Sequence, residues 1–322
     1  MVENSTTPAP APASLLLAGP TAVGKSEVAL NLALRLGGEI ISVDSMQVYR
    51  GLDIGTAKPS PAQRAQVPHH LIDVAGPAES FDAARFVRLA KEAIAEIRGR
   101  GRVAVLCGGT GLYFRALLEG LGEAPPADPA LRRLLESTPL PELLSELAQR
   151  DPSSYARIDR QNPRRVIRAV EVIRLTGQPF SSQRARWDAS GSGAAPECAF
   201  GLSRAPGDLR QRIDERVDEM FRRGLVQETE GLLKQGLAGN RTAMQALGYR
   251  QAAEHLAGER GLAATIELVK IRTRQFAKRQ MTWFRRQLRL NWVPIQRGQS
   301  LQETADFLEK EWNRFSGDTA TR

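Results

Sequence analysis

A phosphate-binding loop near the start of the chain constrains the fold more than any other feature of the sequence. The loop fits the pattern G-x-x-x-x-G-K-[ST], and its residues are Gly19, Pro20, Thr21, Ala22, Val23, Gly24, Lys25 and Ser26. An apolar run at Leu15–Ala18 precedes it and predicts a buried strand, and a helical pattern from Val28 to Leu36 follows it. In this context backbone N–H groups can wrap a phosphate at a helix N-terminus, Lys25 can add positive charge, and Ser26 can hold Mg²⁺. The sequence therefore predicts a strand–loop–helix unit that binds a di- or triphosphate group.

Short apolar runs alternate with helical patterns beyond the loop. The predicted strands are Leu15–Ala18, Glu39–Val43, His70–Val74, Arg102–Cys107 and Ala199–Leu202. The predicted helices outside the middle of the chain include Ser80–Arg98 with Ser80 as N-cap, Pro206–Gln235, Met244–Leu256 and Gly261–Leu290. This order predicts an α/β fold with a P-loop parallel sheet, right-handed crossovers and a helical C-terminal part.

Changes in composition divide the chain into segments. Residues 1–13 are rich in Pro, Ala and Thr and predict a disordered tail. Turn-forming residues at 123–129 and a Ser/Gly stretch at 189–193 flank helical patterns, which predicts an inserted helical domain at 123–198. The P-loop core then comprises residues 14–122 plus 199–295, and residues 296–322 form a C-terminal helix and tail.

The charge of the chain indicates a polyanionic partner larger than a nucleotide. The formal net charge is +9 at pH 7. The two cysteines, Cys107 and Cys198, have no metal-like spacing, and no secretory signal pattern precedes the core, so we expect a cytoplasmic protein. No apolar stretch approaches the roughly 18–20 residues of a membrane span, so no membrane association is expected.

Polar residues follow two further predicted strands. Asp44 comes directly after Glu39–Val43, and Thr110 lies in a Gly-Gly-Thr-Gly turn after Cys107. Ligands of open α/β sheets bind at the carboxyl ends of the strands, so both residues should face the phosphate loop. Asp44 can serve as a general base or a metal-linked carboxylate, or it can only cap the following turn. Thr110 can donate to a phosphate oxygen, or it can only cap the next helix.

Two basic stretches account for most of the positive charge. Eight arginines lie within residues 157–186 against two acidic residues, and eight basic residues lie between Lys270 and Arg289 with no acidic residue. Such a run is ordinarily a solvated helix face, but the acid-free segment favours contact with RNA or DNA. Phe276 and Trp283 are seven residues apart on one helix face, and we expect them to pack on the core rather than stack on bases.

Several motifs together resemble the tRNA dimethylallyltransferase family. They are the phosphate loop, Asp44–Tyr49, Asp53–Pro59, Val67–Asp73, Gly108–Tyr113, Asn162–Arg165, Leu247–Gln251 and Thr273–Gln280. The resemblance covers residues 14–295 in order and with sensible spacing. No C-terminal Cys/His zinc finger is present in the sequence, which resembles the bacterial form of the family.

This resemblance implies a reaction. The exocyclic amine of the adenosine just 3′ of the anticodon attacks the allylic carbon of dimethylallyl diphosphate, and pyrophosphate leaves. The phosphate loop then binds a prenyl diphosphate rather than ATP, with Mg²⁺ as cofactor at Ser26. Asp44 matches the general base, and Thr110 matches a residue near the bridging oxygen of the diphosphate. Lys25, with Arg212 and Arg216, completes the implied catalytic set.

The resemblance also implies which residues contact the anticodon stem-loop of tRNA. They are Asp44, Ser45, Met46, Gln47, Thr110, Gln161, Asn162, Pro163, Arg164, Arg165, Gln245, Ala246, Leu247, Gly248, Tyr249, Arg250, Arg274, Gln275, Phe276, Ala277, Lys278, Arg279, Gln280 and Met281. We also assign Arg132, in the insertion, to the tRNA surface, and we expect the chain to act as a monomer.

Two other functions stay open from the sequence. An adenylate isopentenyltransferase, which modifies a free nucleotide, would share the core but have little use for the helical insertion and the acid-free segment. An ATP-dependent kinase or an RNA-binding NTPase would need a pocket for the nucleotide base and usually a strand-borne aspartate for Mg²⁺. The order of the motifs favours transfer to tRNA over both.

Overall fold

The protein is described by a computed structural model that covers residues 14–183 and 198–318. These residues divide into two compact units, the described parts of Met1–Leu117 with Ala189–Arg322 and those of Leu118–Asp188. The predicted insertion at 123–198 overlaps the second unit. The predicted tail at 1–13 and the Ser/Gly stretch at 189–193 lie outside the described residues.

A six-stranded parallel sheet runs through the first unit and confirms the predicted fold class. Its strands are β1 (Ser14–Ala18), β2 (Glu39–Val43), β3 (His69–His70), β4 (Ala104–Gly108), β5 (Ala199–Ser203) and β6 (Asn291–Pro294). Their spatial order is β3-β2-β4-β1-β5-β6, and each pairing is parallel. Because β4 lies between β2 and β1, the loops that follow these three strands emerge side by side at one edge.

Fourteen α-helices occur within the described residues, and none of these is long and apolar enough to cross a membrane. In chain order they are α1 (Lys25–Arg35), α2 (Pro61–Gln66), α3 (Ala83–Gly99), α4 (Gly111–Glu119), α5 (Pro129–Ser137), α6 (Leu140–Arg150), α7 (Pro152–Arg157), α8 (Pro163–Thr176), α9 (Phe180–Gln183), α10 (Pro206–Arg222), α11 (Leu225–Lys234), α12 (Tyr249–Leu256), α13 (Leu262–Gln287) and α14 (Leu301–Asp318).

Successive residues of each strand point to opposite faces of the sheet, so two apolar layers form. Leu15 and Leu17 belong to the layer that includes side chains of α1 and α14. Leu16 and Ala18 belong to the other layer, which includes Phe86 of α3, Phe114 of α4 and Phe284 of α13. The helix that carries the acid-free basic segment is thereby anchored to the sheet by its apolar side.

The structure differs from the predicted elements in several places. The strand predicted at His70–Val74 is wrong beyond His70, because Leu71 and Asp73 adopt left-handed φ values of 61° and 60°. Strand β6 was not predicted, and its short edge position is compatible with Pro294. The single helix predicted for Pro206–Gln235 is broken at Gly224, which has φ 97°. Asp82, not Ser80, caps α3 by accepting from the Arg85 N–H.

The second unit is a small cluster of helices, α5 to α9, with its own apolar core. Leu135, Leu143, Leu147, Val166 and Ile173 lie in this core and are at most 1% exposed. Amphipathic patterning alone accounts for these helices, because each places its apolar side chains on the shared interior.

Candidate active site

A cavity of about 370 Å³ opens at the carboxyl ends of β1, β2 and β4. Lys25 and Ser26 line it from the start of α1, Asp44 follows β2, and Thr110 follows β4. Arg216 lines it from α10. The structure therefore brings together the three strand-end segments that the sequence singled out.

Three cationic side chains fix the orientation of the phosphate loop by holding its carbonyl groups. The Lys25 ammonium donates to the Pro20 carbonyl at 2.6 Å, and Arg212 Nε donates to the Ala22 carbonyl at 3.0 Å. Arg204 Nε donates to the Val23 carbonyl at 2.9 Å. A trans peptide points its N–H away from its C=O, so each held carbonyl also fixes the direction of the N–H group that follows it. This arrangement suits a loop that receives an anion.

The backbone of the loop contains conformations that only certain residues tolerate. Gly19 has φ 151°, and a Cβ there would lie 2.7 Å from the Leu202 carbonyl oxygen. Ala22 has φ 63°, which is left-handed and unfavourable for a residue with a side chain. Ala22 is nevertheless 5% exposed and packs with Val217 and Val269. Packing thus holds the loop in a strained shape, as is common at functional sites.

The cavity is electropositive. Burial lowers the pKa of Lys25 to about 8, and the nearby Arg216 acts in the same direction. Burial also lowers the pKa of Arg216, with Arg212 adding to the effect. The Arg216 guanidinium has no hydrogen-bond or ion-pair partner among residues 14–183 and 198–318. A largely buried cation without a counter-charge is costly, so this cavity is built for an anionic ligand.

Asp44 and Thr110 are joined through the turn after β2. Asp44 Oδ1 accepts from the Met46 N–H at 2.8 Å, so this carboxylate does cap its turn. Within the described residues its Oδ2 accepts no hydrogen bond. Thr110 Oγ1 accepts from the Ser45 N–H at 3.0 Å and lies 3.4 Å from Ser45 Oγ. The capping and catalytic interpretations of Asp44 are compatible, because each uses a different carboxylate oxygen.

One wall of the cavity is apolar. Val217 and Met220 of α10 line it together with Leu247, Val269 and Phe276. Cys107 also lines the cavity, and burial raises its pKa to about 11, so it remains a neutral thiol near pH 7. The cavity therefore pairs a cationic end with a surface suited to a short hydrocarbon.

A buried network supports the segment 54–57 at another wall. Tyr249 is fully buried, and its hydroxyl donates to Glu228 Oε1 at 2.5 Å and accepts from the Gly55 N–H at 3.0 Å. Glu228 also accepts from the Ile54 N–H at 3.0 Å, and burial raises the pKa of Glu228. Gln47 Nε2 donates to the Thr56 carbonyl at 3.1 Å, which ties this wall to the turn that holds Asp44.

Part of the predicted tRNA surface is buried. Ala246, Gly248, Tyr249, Ala277 and Gln280 are all buried in the first unit. These residues are largely covered by protein atoms, although Ala246 and Gln280 also line the cavity, and their assignment to tRNA stays a prediction. In the same region Gln245, Arg250, Gln275, Lys278 and Arg279 are exposed, whereas Leu247 and Met281 are half-buried.

The basic helix α13 has distinct faces. Lys278 and Arg279 are exposed, while Arg274 is half-buried and donates to Asp214 at 2.7 Å. Trp283 packs against the core, as predicted. The same prediction is wrong for Phe276, which is 36% exposed, lines the cavity and lies 5.9 Å from the Arg279 guanidinium carbon.

The second unit contains the remaining predicted RNA residues. Gln161, Pro163, Arg164 and Arg165 are exposed around the start of α8, and the half-buried Asn162 caps that helix. Arg132 instead forms a bidentate contact with Glu171, which is fully buried and also pairs with Arg168 at 2.7 Å. The Arg132 guanidinium thus neutralises a buried carboxylate, and its assignment to tRNA stays a prediction.

Sequence reasoning missed Arg204, Glu228 and the bridging position of Gln280. No local pattern marks the contacts of Arg204 with Val23 and of Glu228 with Ile54, which each span more than 170 residues of the chain. Gln280 had a readable signal, since Thr273, Ala277, Gln280 and Phe284 recur with the spacing of one buried helical stripe.

Comparisons with known proteins bear directly on this arrangement. The sequence profile of the family described as IPP transferase matches residues 47–287. A curated tRNA dimethylallyltransferase 1 of Trichlorobacter lovleyi is 48% identical over 286 residues, covering 88% of this chain and 93% of that protein.

Solved structures agree with the sequence comparison. A tRNA isopentenylpyrophosphate transferase from Bacillus halodurans is 38% identical with a TM-score of 0.68, covering 96% of this chain and 99% of the other. A eukaryotic dimethylallyltransferase acting on tRNA is 28% identical with a TM-score of 0.71, covering 87% of this chain and 74% of the other. Sequence, fold and the strand-end cavity thus lead to one conclusion: the chain belongs to the IPP transferase family.

Proposed function

We propose that this protein transfers a dimethylallyl group from dimethylallyl diphosphate to the exocyclic amine of an adenosine in tRNA. The observation that carries the proposal is a cavity in which cationic groups, a carboxylate and an apolar wall meet. The family of the chain and the names of its relatives support the same reaction.

The diphosphate is the group that the cationic end of the cavity would bind. Lys25 and Arg216 supply positive charge, and the phosphate loop supplies N–H donors. As the bond between the allylic carbon and the bridging oxygen breaks, negative charge grows on the leaving pyrophosphate. Preorganised cations stabilise that charge without having to reorganise during the reaction. The Thr110 hydroxyl is placed to donate to the leaving oxygen in exchange for its long contact with Ser45 Oγ.

Asp44 would take the proton that the adenosine amine loses as the new carbon–nitrogen bond forms. Its Oδ1 is held by N–H groups of the following turn, which fixes the orientation of the carboxylate. The dimethylallyl chain would lie on the wall formed by Val217, Met220 and Val269. Because this wall keeps water away from the dimethylallyl group, the carbocation-like transition state would react with the amine rather than with water.

Mg²⁺ fits the donors available in the cavity. Ser26 offers a hydroxyl at the start of α1 and Asp44 a carboxylate, both hard oxygen ligands. No cluster of three or more His, Cys, Asp or Glu side chains that could hold a metal occurs in the described parts of the chain. We therefore propose that Ser26 holds Mg²⁺ together with diphosphate oxygens and water, and that the ion neutralises leaving-group charge.

Binding of tRNA would explain the positive charge that lies outside the diphosphate-binding cavity. Exposed Lys278 and Arg279 on α13 are suited to phosphate contacts, and so are Arg164 and Arg165 in the second unit. We propose that these surfaces bind the anticodon stem-loop. We expect a monomer, because the cationic, acidic and apolar groups that the reaction needs come from one chain.

A competition assay tests the proposal against the other two functions. The protein is incubated with labelled dimethylallyl diphosphate or labelled ATP, and with unmodified tRNA or AMP, with and without a Mg²⁺ chelator. Label should pass only from dimethylallyl diphosphate to tRNA, and the chelator should stop the transfer. Label passing to AMP would support the adenylate isopentenyltransferase, and consumption of ATP would support a kinase or NTPase.

A further inference from the structure

Gln280 is a polar residue on the buried stripe of α13. It is 7% exposed, and its stripe neighbours Ala277 and Phe284 are apolar and buried. Burying an amide is costly unless both its donor and its acceptor are paired. The partners of Gln280 therefore indicate why a polar side chain occupies this position.

The Gln280 amide bridges two loops of the active-site cavity. Its Oε1 accepts from the Thr21 N–H at 2.8 Å, and its Nε2 donates to the Gly109 carbonyl at 2.8 Å. Thr21 belongs to the phosphate loop after β1, and Gly109 directly precedes Thr110 after β4. One side chain thus fixes the spacing between the loop that contains Lys25 and the turn that contains Thr110.

The surroundings of the bridge leave little freedom. A Cβ on residue 109 would lie 2.4 Å from Gln280 Nε2, so a side chain there would displace the Gln280 amide from the bridge. At the phosphate-loop end of the bridge, the peptide between Pro20 and Thr21 is held by both its carbonyl and its N–H group. Lys25 holds its carbonyl at 2.6 Å, and Gln280 holds its N–H at 2.8 Å. The plane of this peptide is therefore set by two side chains from distant parts of the sequence.

We propose that Gln280 is a positioning residue for the transfer reaction. It aligns the phosphate loop and the Thr110 turn on opposite sides of the same diphosphate. The expected change in kcat rests on the proposed function, whereas the expected change in pyrophosphate affinity does not. Misplacement of reacting groups by about 1 Å can cost about 100-fold in rate, so the bridge should matter more for kcat than for KM.

Two substitutions separate positioning from simple packing. Gln280→Met keeps the volume but removes both hydrogen bonds. Gln280→Glu keeps the acceptor for the Thr21 N–H, but its ionised carboxylate faces the Gly109 carbonyl with no proton to donate. Burial raises the pKa of a carboxyl group. Among the charged residues that line the same cavity, Asp44 acts in the same direction, whereas Lys25, Arg216 and Arg279 oppose it. The pH is therefore lowered from about 9 to about 5, where the carboxyl should be protonated and the donor restored. Gln302→Glu, at an exposed position of α14, is the matched control.

The experiment measures kcat, KM and the Kd for inorganic pyrophosphate, each relative to the wild type at the same pH. Gln280→Met should lower kcat by about 10- to 100-fold and weaken pyrophosphate binding by about 10-fold at each pH. Gln280→Glu should resemble it at high pH and recover both quantities as the pH falls. Gln302→Glu should match the wild type throughout.

Specific results would overturn the inference. Wild-type kcat and pyrophosphate affinity in Gln280→Met would show that the bridge does not position the loops. Wild-type kcat and pyrophosphate affinity in Gln280→Glu at high pH would show that the donor to the Gly109 carbonyl is dispensable. If the wild type fails to prenylate tRNA, the proposed function fails, while the pH-dependent recovery of pyrophosphate binding still decides the role of Gln280.

Discussion

The pKa of Lys25 leads to a quantitative prediction about how ligand binding depends on pH. Burial lowers this pKa from 10.5 to about 8 in the free protein. A bound diphosphate places negative charge beside the ammonium and should raise the pKa again. The charged form therefore binds better, and the affinity should be lost as the pH rises through about 8.

The size of the effect follows from the fraction of Lys25 that is charged. With a pKa of about 8, about nine-tenths of the side chain is protonated at pH 7 and about one-tenth at pH 9. The Kd for dimethylallyl diphosphate should therefore rise about 10-fold over this range. The ligand itself contributes little, since phosphate groups ionise near pH 6. Cys107 also stays neutral there because its pKa is about 11.

Titration calorimetry without tRNA, at constant Mg²⁺, measures both the affinity and the protons taken up. Uptake should increase from about 0.1 proton at pH 7 to about 0.9 at pH 9. Lys25→Met should bind weakly at both pH values with little proton uptake, and Lys25→Arg, which stays charged, should also lose the pH dependence. An unchanged wild-type affinity between these pH values, or the same slope in Lys25→Met, would refute the reasoning.

Three further predictions concern other parts of the molecule. Asp44→Asn should keep the turn, because an amide oxygen can still accept from the Met46 N–H, yet lower the single-turnover rate by about 100-fold; an equal rate would exclude Asp44 as the base. Lys278→Glu with Arg279→Glu should weaken tRNA binding at low salt and reduce the slope of log affinity against log salt by about two, unlike Lys310→Glu with Arg314→Glu on α14; an unchanged slope would mean a merely solvated face. Glu171→Ala should lower the free energy of unfolding of the helical unit by about 2–3 kcal/mol in urea denaturation, less than for a fully buried pair because Arg132 and Arg168 reach solvent; full stability would show that the carboxylate is dispensable.

Local patterns were sufficient to predict the parts of the site that follow strands. The phosphate loop, Asp44 and Thr110 each come after an apolar run, and parallel strands place their carboxyl ends at one edge. The strand β6 could not be predicted in this way. Its four residues follow a long charged helix, and they pair only because β5 offers an open edge.

Contacts over long sequence separations were not predictable from the chain alone. Arg204 and Glu228 read as ordinary surface charges, yet one holds the Val23 carbonyl and the other the Ile54 N–H. Tyr249 and Gln280 were placed on the tRNA surface through the family motifs, but tertiary packing buries both. Motifs locate residues near a site, whereas burial decides which of them face the ligand.

The most direct test of the proposed function locates the transferred group in the product. Unmodified tRNA is incubated with the protein, Mg²⁺ and labelled dimethylallyl diphosphate, and the digested nucleosides are analysed by mass spectrometry beside a tRNA whose adenosine 3′ of the anticodon is replaced by guanosine. We predict one dimethylallyl group on that adenosine, one pyrophosphate released for each transfer, and no label in the substituted tRNA. Label on a different nucleoside, or none on tRNA under conditions where the protein binds both substrates, would contradict the proposal.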